Sequence, residues 1–290
     1  MQKQKSYQIE PTEGVLYVVP TPIGNLEDIT IRALNTLKKV DLIAAEDTRH
    51  TKKLLTHFDI HCPLISYHEH SQLTKIDTLV TSLNEGKSIA LVSDAGMPAI
   101  SDPGTPLVQA AIEQDIPVVV LPGANAALCA LVGSGLRTDH FYFYGFLPRK
   151  NKERKEAFLS LYQQQSTIIL YESPHRLTMT LEDIQRYLGN RRIAIARELT
   201  KRFEEYVRGT VDQVLEWVEH GTLKGEFCII IEGSQNLVNE ESNWWEDLTI
   251  NQHVEHYIKA DQLPSKMAIK QVAKDRGVPK RDVYQSYHVE

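Results

Sequence analysis

The chain has 290 residues, 42% apolar and 24% charged, with a formal net charge of −6 and three cysteines. That length gives room for two ordinary domains, or two and a small appendage, and the apolar share excludes a disordered or fibrous chain. The acidic balance argues against binding nucleic acid over the whole surface, so any such contact has to come from local clusters of Lys and Arg.

The opening stretch, Met1-Gln2-Lys3-Gln4-Lys5-Ser6-Tyr7, is polar, and no later run has the length of a bilayer span; a cytoplasmic protein without membrane contact is expected. Cys62, Cys129 and Cys228 are far apart, lack metal spacing and lie in apolar or strand-like sequence, which predicts buried free thiols.

From Gly14 a pattern repeats: an apolar strand, a loop of special residues, a helical stretch. Strand 15–19 runs into Pro20-Thr21-Pro22-Ile23-Gly24-Asn25, and helical spacing follows at Ile31, Leu34 and Leu37. Strand 42–45 runs into Glu46-Asp47-Thr48-Arg49, and strand 63–67 into His68-Glu69-His70. Strand 89–92, apolar throughout as a strand buried on both faces is, breaks into Ser93-Asp94-Ala95-Gly96-Met97-Pro98 and on to Gly104. Strand 118–121 leads to Pro122-Gly123-Ala124-Asn125-Ala126. Alternating strands and helices predict crossover connections and a parallel sheet, whose strands all end at one rim where ligands bind. Residues 14–135 are therefore predicted to form an α/β ligand-binding domain.

A second domain, α+β or α/β with a mixed sheet, is predicted over 136–235, with strands at 167–171, 193–196, 205–208 and 227–231. Residues 148–155 read as an exposed basic connection. Residues 233–251, ending near Trp244-Trp245, read as a linker. A small helical domain, helix-turn-helix-like or a simple packing unit, is predicted over 252–290, with Ser265 as an N-cap, Met267, Ile269, Val272 and Ala273 on one face, a stop at Gly277 and a second helix through Val283, Tyr284 and Tyr287.

No Gly-x-Gly-x-x-Gly follows the first strand and no Gly-Lys-Ser/Thr phosphate loop occurs, which removes the usual NAD-linked and nucleoside-triphosphate signatures. Gly24 lets a ligand approach the backbone, or makes a tight turn only. Glu46, Asp47 and Arg49 fit either a salt-bridged corner or carboxylates acting as bases on a hydroxyl-bearing substrate. His68-Glu69-His70 puts two imidazoles on one strand face but lacks a third ligand, so substrate contact is favoured over a metal. Glu172-Ser173-Pro174-His175-Arg176 lacks a nucleophile elbow, and His175 and Arg176 suit phosphate or ribose contact instead.

Arg149, Lys150, Lys152, Arg154 and Lys155 follow Phe143, Tyr144 and Phe146. Aromatic faces beside positive charge suit single-stranded RNA, although such a run is also ordinary solvated surface. Lys266, Lys270, Lys274, Arg276, Lys280 and Arg281 form a second basic group, opposed only by Asp275 and Asp282.

Taken in order, Pro20-Thr21-Pro22-Ile23-Gly24-Asn25-Leu26, Ala45-Glu46-Asp47-Thr48-Arg49, the 93–104 loop, Pro122-Gly123-Ala124-Asn125-Ala126, Gly145-Phe146-Leu147-Pro148, Glu172-Ser173-Pro174-His175-Arg176, Ala196-Arg197-Glu198-Leu199-Thr200-Lys201 and Gly225-Glu226-Phe227 resemble the ribosomal RNA small subunit methyltransferase I family of the tetrapyrrole methylase superfamily. The resemblance implies a two-domain α/β fold, a parallel-sheet domain followed by a mixed-sheet one, with a small helical appendage. It implies S-adenosylmethionine in the cleft between the two domains, a homodimer, no metal, and 2′-O-methylation of a cytidine in the decoding region of 16S ribosomal RNA, free or in the small subunit. By position, the cofactor is expected at Pro22, Ile23, Gly24, Asp94, Gly96, Met97, Pro98, Asn125, Ala126, Tyr171 and Phe227. Glu46 and Asp47 are the expected bases with Arg49 positioning substrate, and His68, Arg149, Lys150, Lys152, His175 and Arg176 are expected to touch RNA. Where tetrapyrrole methylases usually have Gly-Asp-Pro, this chain has Ser93-Asp94-Ala95. The alternatives are a methyltransferase acting on a tetrapyrrole or other small molecule, and an RNA-binding protein without catalysis.

Overall fold

A computed structural model describes the chain apart from residues 9, 11, 69–71, 222, 236–244, 246–247, 261–262 and 289–290, and apart from the side chains of residues 7 and 72–74. It divides into two compact units, Met1–Ser234 and Gln235–Glu290.

The first sheet is built from β1 (Leu16–Val18), β2 (Leu42–Ala45), β3 (Leu64–Ser66), β4 (Ile89–Val92) and β5 (Val118–Val120), in the order β3-β2-β4-β1-β5. Every pairing is parallel. The crossovers are α1 (Ile31–Leu37), α2 (Thr48–His57), α3 (Gln72–Asn84) and α4 (Thr105–Glu113). Successive strand residues point to opposite faces, and both faces are covered. Val15, Ile43 and Ala90 pack with Leu37 and Leu55 on one side, while Leu16, Ala44 and Leu91 pack with Leu79 and Leu107 on the other. This double burial is why the strands read as short unbroken apolar runs.

The second sheet joins β6 (Phe141–Phe146), β7 (Thr167–Glu172), β8 (Arg192–Arg197), β9 (Glu205–Thr210) and β10 (Phe227–Ile231) in the order β6-β7-β10-β8-β9. Only β6 and β7 are parallel, so the sheet is mixed, as expected. Strand β6 was not predicted. Its Phe-Tyr-Phe-Tyr run lacks polar–apolar alternation, and Gly145, at φ +80°, shifts its register after Phe143. One face of the sheet carries α6 (Asn151–Leu161), α7 (Leu177–Leu188) and α8 (Val211–His220), through Phe158, Leu181 and Val214 against Ile168, Leu170, Ile195 and Ile229.

The other face takes α5 (Ala126–Ser134), which comes straight from β5 of the first sheet. Ala127, Ala130 and Leu131 pack on Ile169, Ala194, Ala196, Cys228 and Ile230. Small residues let the backbone come close: a Cβ on Gly133 would lie 2.4 Å from the Tyr206 ring. The Tyr206 hydroxyl donates to the Cys129 carbonyl at 3.1 Å, and Arg208 Nε donates to the Gly133 carbonyl at 2.9 Å. The last helix of the 14–135 segment is thus a layer of the second sheet.

Three local expectations change. Only 148–150 of the basic stretch connect; from Asn151 it is the start of α6, which turns Arg154 into the protein, 5% exposed. There Arg154 Nε donates to Asp183 Oδ2 at 2.7 Å, and its Nη atoms donate to the Arg149 carbonyl and to Asn151 Oδ1. Among the thiols, Cys228 is buried, Cys62 half-buried and Cys129 exposed on α5; all are free. Ser265 is the first residue of its helix, behind Pro264, and caps nothing.

The second unit has three described helices, α9 (Ile250–Lys259), α10 (Ser265–Asp275) and α11 (Lys280–His288), around Val254, Ile269, Val272 and Val283. Gly277, at φ +62°, makes the turn between the last two. The first of the three, closed by a Thr249–Gln252 capping box, was not anticipated. Most of the expected linker, Trp244 included, lies outside the described residues. No described helix is long and apolar enough to cross a membrane.

Arg154→Ala leaves the Asp183 carboxylate without its buried partner and is expected to cost about 3–5 kcal/mol. Lys152→Ala and Lys155→Ala, on the exposed side of the same helix, are expected to stay within about 0.5 kcal/mol. Urea denaturation of the three variants reads both.

Candidate active site

The parallel first sheet ends all its strands at one rim, and hydrogen bonds knit the loops there together. Thr21 and Gly96 exchange backbone hydrogen bonds, both 3.0 Å, and Thr21 Oγ1 donates to the Ser93 carbonyl at 3.1 Å, joining the loops after β1 and β4. The loops after β2 and β4 clasp each other: the Asp47 amide donates to Asp94 Oδ1 at 3.0 Å, and the Asp94 amide donates to Glu46 Oε2 at 3.3 Å. Two links reach the second sheet, the Asn25 amide to Thr200 Oγ1 and the Ala127 amide to the Tyr171 hydroxyl, at 3.1 and 3.2 Å.

A cleft of about 440 Å³ opens at this meeting point. Ile23, Glu46, Asp94, Gly96, Met97, Asp102, Asn125 and Ala126 line it from the first sheet's loops; Phe146, Tyr171, Leu199 and Phe227 line it from the second. Pro22, Gly24 and Pro98 belong to the same turns but stand outside the wall. Gly24 is required by the neighbouring loop: a Cβ there would lie 2.3 Å from Lys201 Cγ and 2.9 Å from Thr200 Oγ1. Gly96, at φ +83°, sits on the wall with room for a Cβ only 3.3 Å from Ile23.

Both loops that close the cleft hold non-glycine residues in the left-handed region. Ala99 and Ser101 have φ +66° and +63°, and Glu198 and Thr200 have φ +50° and +65°. Such conformations cost of order 1–3 kcal/mol each and persist only where the surroundings fix them. Here Glu198 Oε1 accepts from Lys201 Nζ at 2.9 Å and from the Glu226 amide at 3.0 Å, and Glu204 accepts from the Thr200 amide.

The cleft is acidic. Burial, then the neighbouring Glu46 charge, pushes the Asp102 carboxyl up to about 7, against a hydrogen bond from Ser93. Burial also raises Glu46, and the Asp94 amide partly offsets it. The sequence alone does not single out Asp102, because nothing in a Gly/Pro-rich loop signals that the fold half-buries it beside Glu46.

The expected trio Glu46, Asp47 and Arg49 separates. Glu46 is on the cleft wall, but Asp47 caps α2, accepting from the Arg49 amide at 2.8 Å, and pairs with the Arg49 guanidinium at 2.7 and 3.1 Å. Arg49 holds the Asp47 carboxyl well below the usual carboxylate range, which makes it a weak base. Arg176 is a latch: Nη2 donates to the Leu147 and Pro148 carbonyls at 3.0 and 3.1 Å, and Nε lies 3.6 Å from buried Glu172. His175 is exposed next to Ser173 and Pro174 of the cleft wall, and His68 is exposed after β3; Glu69 and His70 lie outside the described residues. Arg149 and Lys150 are exposed just before α6 and Lys152 in its first turn; none of the three lines the cleft, and Lys150 is paired to Glu153 at 3.0 Å. In the second unit Arg276 stacks over Trp245 at 5.0 Å and donates to His253 Nδ1, which leaves Lys266, Lys270, Lys274, Lys280 and Arg281 as its exposed cations from that group.

A carboxyl with a raised folded-state pKa binds its proton more tightly folded than unfolded, so its contribution to stability falls as pH rises from about 4 to about 7. Asp102→Asn is therefore expected to raise the urea midpoint above that of the native protein at pH 8, with the gain vanishing toward pH 4.

Residues 15–215 match the family model for tetrapyrrole (corrin/porphyrin) methylases. The chain is 57% identical to a ribosomal RNA small subunit methyltransferase I of Halalkalibacterium halodurans, over 100% of both chains. It is 52% identical to the Bacillus subtilis protein of that name, over 100% of this chain and 99% of the other. Among solved structures, a cobalt precorrin-4 methyltransferase aligns with TM-score 0.57 at 16% identity, over 75% of this chain and 94% of that one. A Thermus thermophilus uroporphyrin-III C-methyltransferase complexed with S-adenosylhomocysteine aligns with TM-score 0.53 at 17% identity, over 76% and 97%. The chain thus belongs to the tetrapyrrole methylase family and, within it, to the ribosomal RNA small subunit methyltransferase I proteins.

Proposed function

We propose that the chain is an S-adenosylmethionine-dependent methyltransferase acting on the ribose 2′-hydroxyl of a cytidine in the decoding region of 16S ribosomal RNA. Full-length identity of 57% to a relative named for ribosomal RNA methylation carries this reading. The cleft fits the cofactor chemically. Its volume falls in the usual range for small-molecule sites, apolar Ile23, Ala126, Leu199 and Phe227 suit a nucleoside, and the carboxylates of Glu46, Asp94 and Asp102 suit a cation. S-adenosylmethionine, when bound, supplies a methyl group already activated on a positively charged sulfur.

What is left to the chain is alignment and proton removal. Asp94, Gly96, Met97, Asn125, Tyr171 and Phe227 hold the cofactor, with Pro22, Gly24 and Pro98 shaping the turns behind them. Asp102 takes the hydroxyl proton, and Glu46 beside it keeps the pair's hold on that proton high. This places the base one loop away from Asp47. RNA contact falls to His68, His175 and the exposed Arg149, Lys150 and Lys152.

The working form is proposed to be a cytoplasmic homodimer that needs no metal. The outward Leu128 and Val132 of α5, 47% and 75% exposed, support a partner on that face. The segments 14–135, 136–235 and 252–290 are proposed as the functional divisions, with α5 serving the first two. Tetrapyrrole methylation remains the alternative, since solved structures of that activity share the fold.

Incubation with labelled S-adenosylmethionine and 30S particles, bare 16S RNA or uroporphyrinogen separates the readings. Label recovered as 2′-O-methylcytidine is expected; label in the porphyrinogen overturns the proposal. At saturating cofactor, Asp102→Asn is expected to lower kcat by about 10²–10⁴-fold. The native kcat/KM should climb as pH passes about 7 and then level off.

A further inference from the structure

Outside the cleft, α2 presents a second feature that no motif suggested. Arg49, Lys52, Lys53, Thr56 and His57 line a shallow open groove of about 520 Å³ along its outer side. Spacings of three and four residues put these groups on one face, while Thr51 and Leu55 bury the opposite one. The helix contains no Asp or Glu. Lys52 and Lys53 are exposed and form no ion pair with any described carboxylate, and the one acid at the helix start, Asp47, is engaged by Arg49. In a chain of net charge −6, this is a strip of uncompensated positive charge.

Its place matters as much as its sign. The helix begins two residues after Glu46, which stands on the cleft wall. At about 1.5 Å per residue, Lys52 and Lys53 lie only about 6–8 Å along the axis from the first helical residue. The strip therefore leads away from the cleft mouth on the same compact unit.

We propose that the outer face of α2 is a binding site for the phosphodiester backbone of the RNA strand whose ribose enters the cleft, with Lys52 and Lys53 contacting phosphates. The inference rests on the RNA reading above and adds the surface that holds the substrate. Exposed lysines in a shallow groove give point-charge contacts without base selection, which orient a strand rather than choose its sequence.

Full-length Lys52→Glu/Lys53→Glu is compared with Lys38→Glu/Lys39→Glu, which makes the same charge change in the exposed connection between α1 and β2, at the rim opposite the cleft, where β2 begins. Calorimetric S-adenosylmethionine affinity monitors folding, and Lys52→Ala/Lys53→Ala serves as the milder pair. For 30S or 16S RNA, the first variant is expected to raise KM about tenfold with kcat at saturation retained, and to flatten the log–log salt dependence by about 1.4, two single-strand phosphate contacts. The control pair should leave both unchanged. Native-like KM and salt slope in both α2 variants, or equal loss in the control, overturns the site while leaving the RNA reading intact. A native protein that methylates porphyrinogen and not RNA overturns both.

Discussion

Docking of α5 on the second sheet is the contact on which the site depends. The helix leaves the first sheet at β5 and packs Ala127, Ala130 and Leu131 into the face made by Ile169, Ala194 and Ile230. Its N-terminus, capped by Asn125, meets Tyr171 through the Ala127 amide. Alanine and glycine along one side permit that closeness, and a bulkier side would push the sheets apart. Because one helix belongs to both layers, the loops of the parallel rim and the ends of β7 and β10 face each other across a fixed gap.

Within the gap, geometry and charge are set together. The exchange between Asp47, Asp94 and Glu46 fixes two loops with two hydrogen bonds and brings a carboxylate to the wall. Asp102 then enters a space already negative and half dry, and its affinity for protons rises in consequence. Asp47, two atoms of backbone away from Glu46, meets a guanidinium and titrates in the opposite direction. Adjacent residues of one motif thus take opposite roles because one faces the cleft and the other faces a helix end.

Much of this was legible in the chain. Strands of a doubly covered parallel sheet are continuous apolar runs, so β2 and β4 were placed to the residue, and their shared direction put the special loops on one rim. Ile23, Asp94, Asn125, Tyr171 and Phe227 do line one cleft. What escaped depended on contacts distant in sequence. Arg154 reads as one of a row of surface cations until Asp183, on another helix, draws it inward. Arg176 looks like a free phosphate ligand until the carbonyls of Leu147 and Pro148 are seen beside it. Cys129 sits in apolar sequence, yet α5 is apolar on its outward side too, so hydrophobic neighbours did not mean burial. The cationic face of α2 shows only once helical spacing brings Arg49, Lys52, Lys53, Thr56 and His57 to one side.

Left-handed backbone at Ala99, Ser101, Glu198 and Thr200 has a consequence for how the protein can change over generations. Glycine at any of these positions relaxes the local conformation while widening the range of shapes the loop visits. Drift toward a more comfortable chain is there also drift toward a looser wall. Selection for thermal hardiness and selection for a well-held ligand pull these few residues in opposing directions, so improvements in endurance should accumulate elsewhere in the molecule.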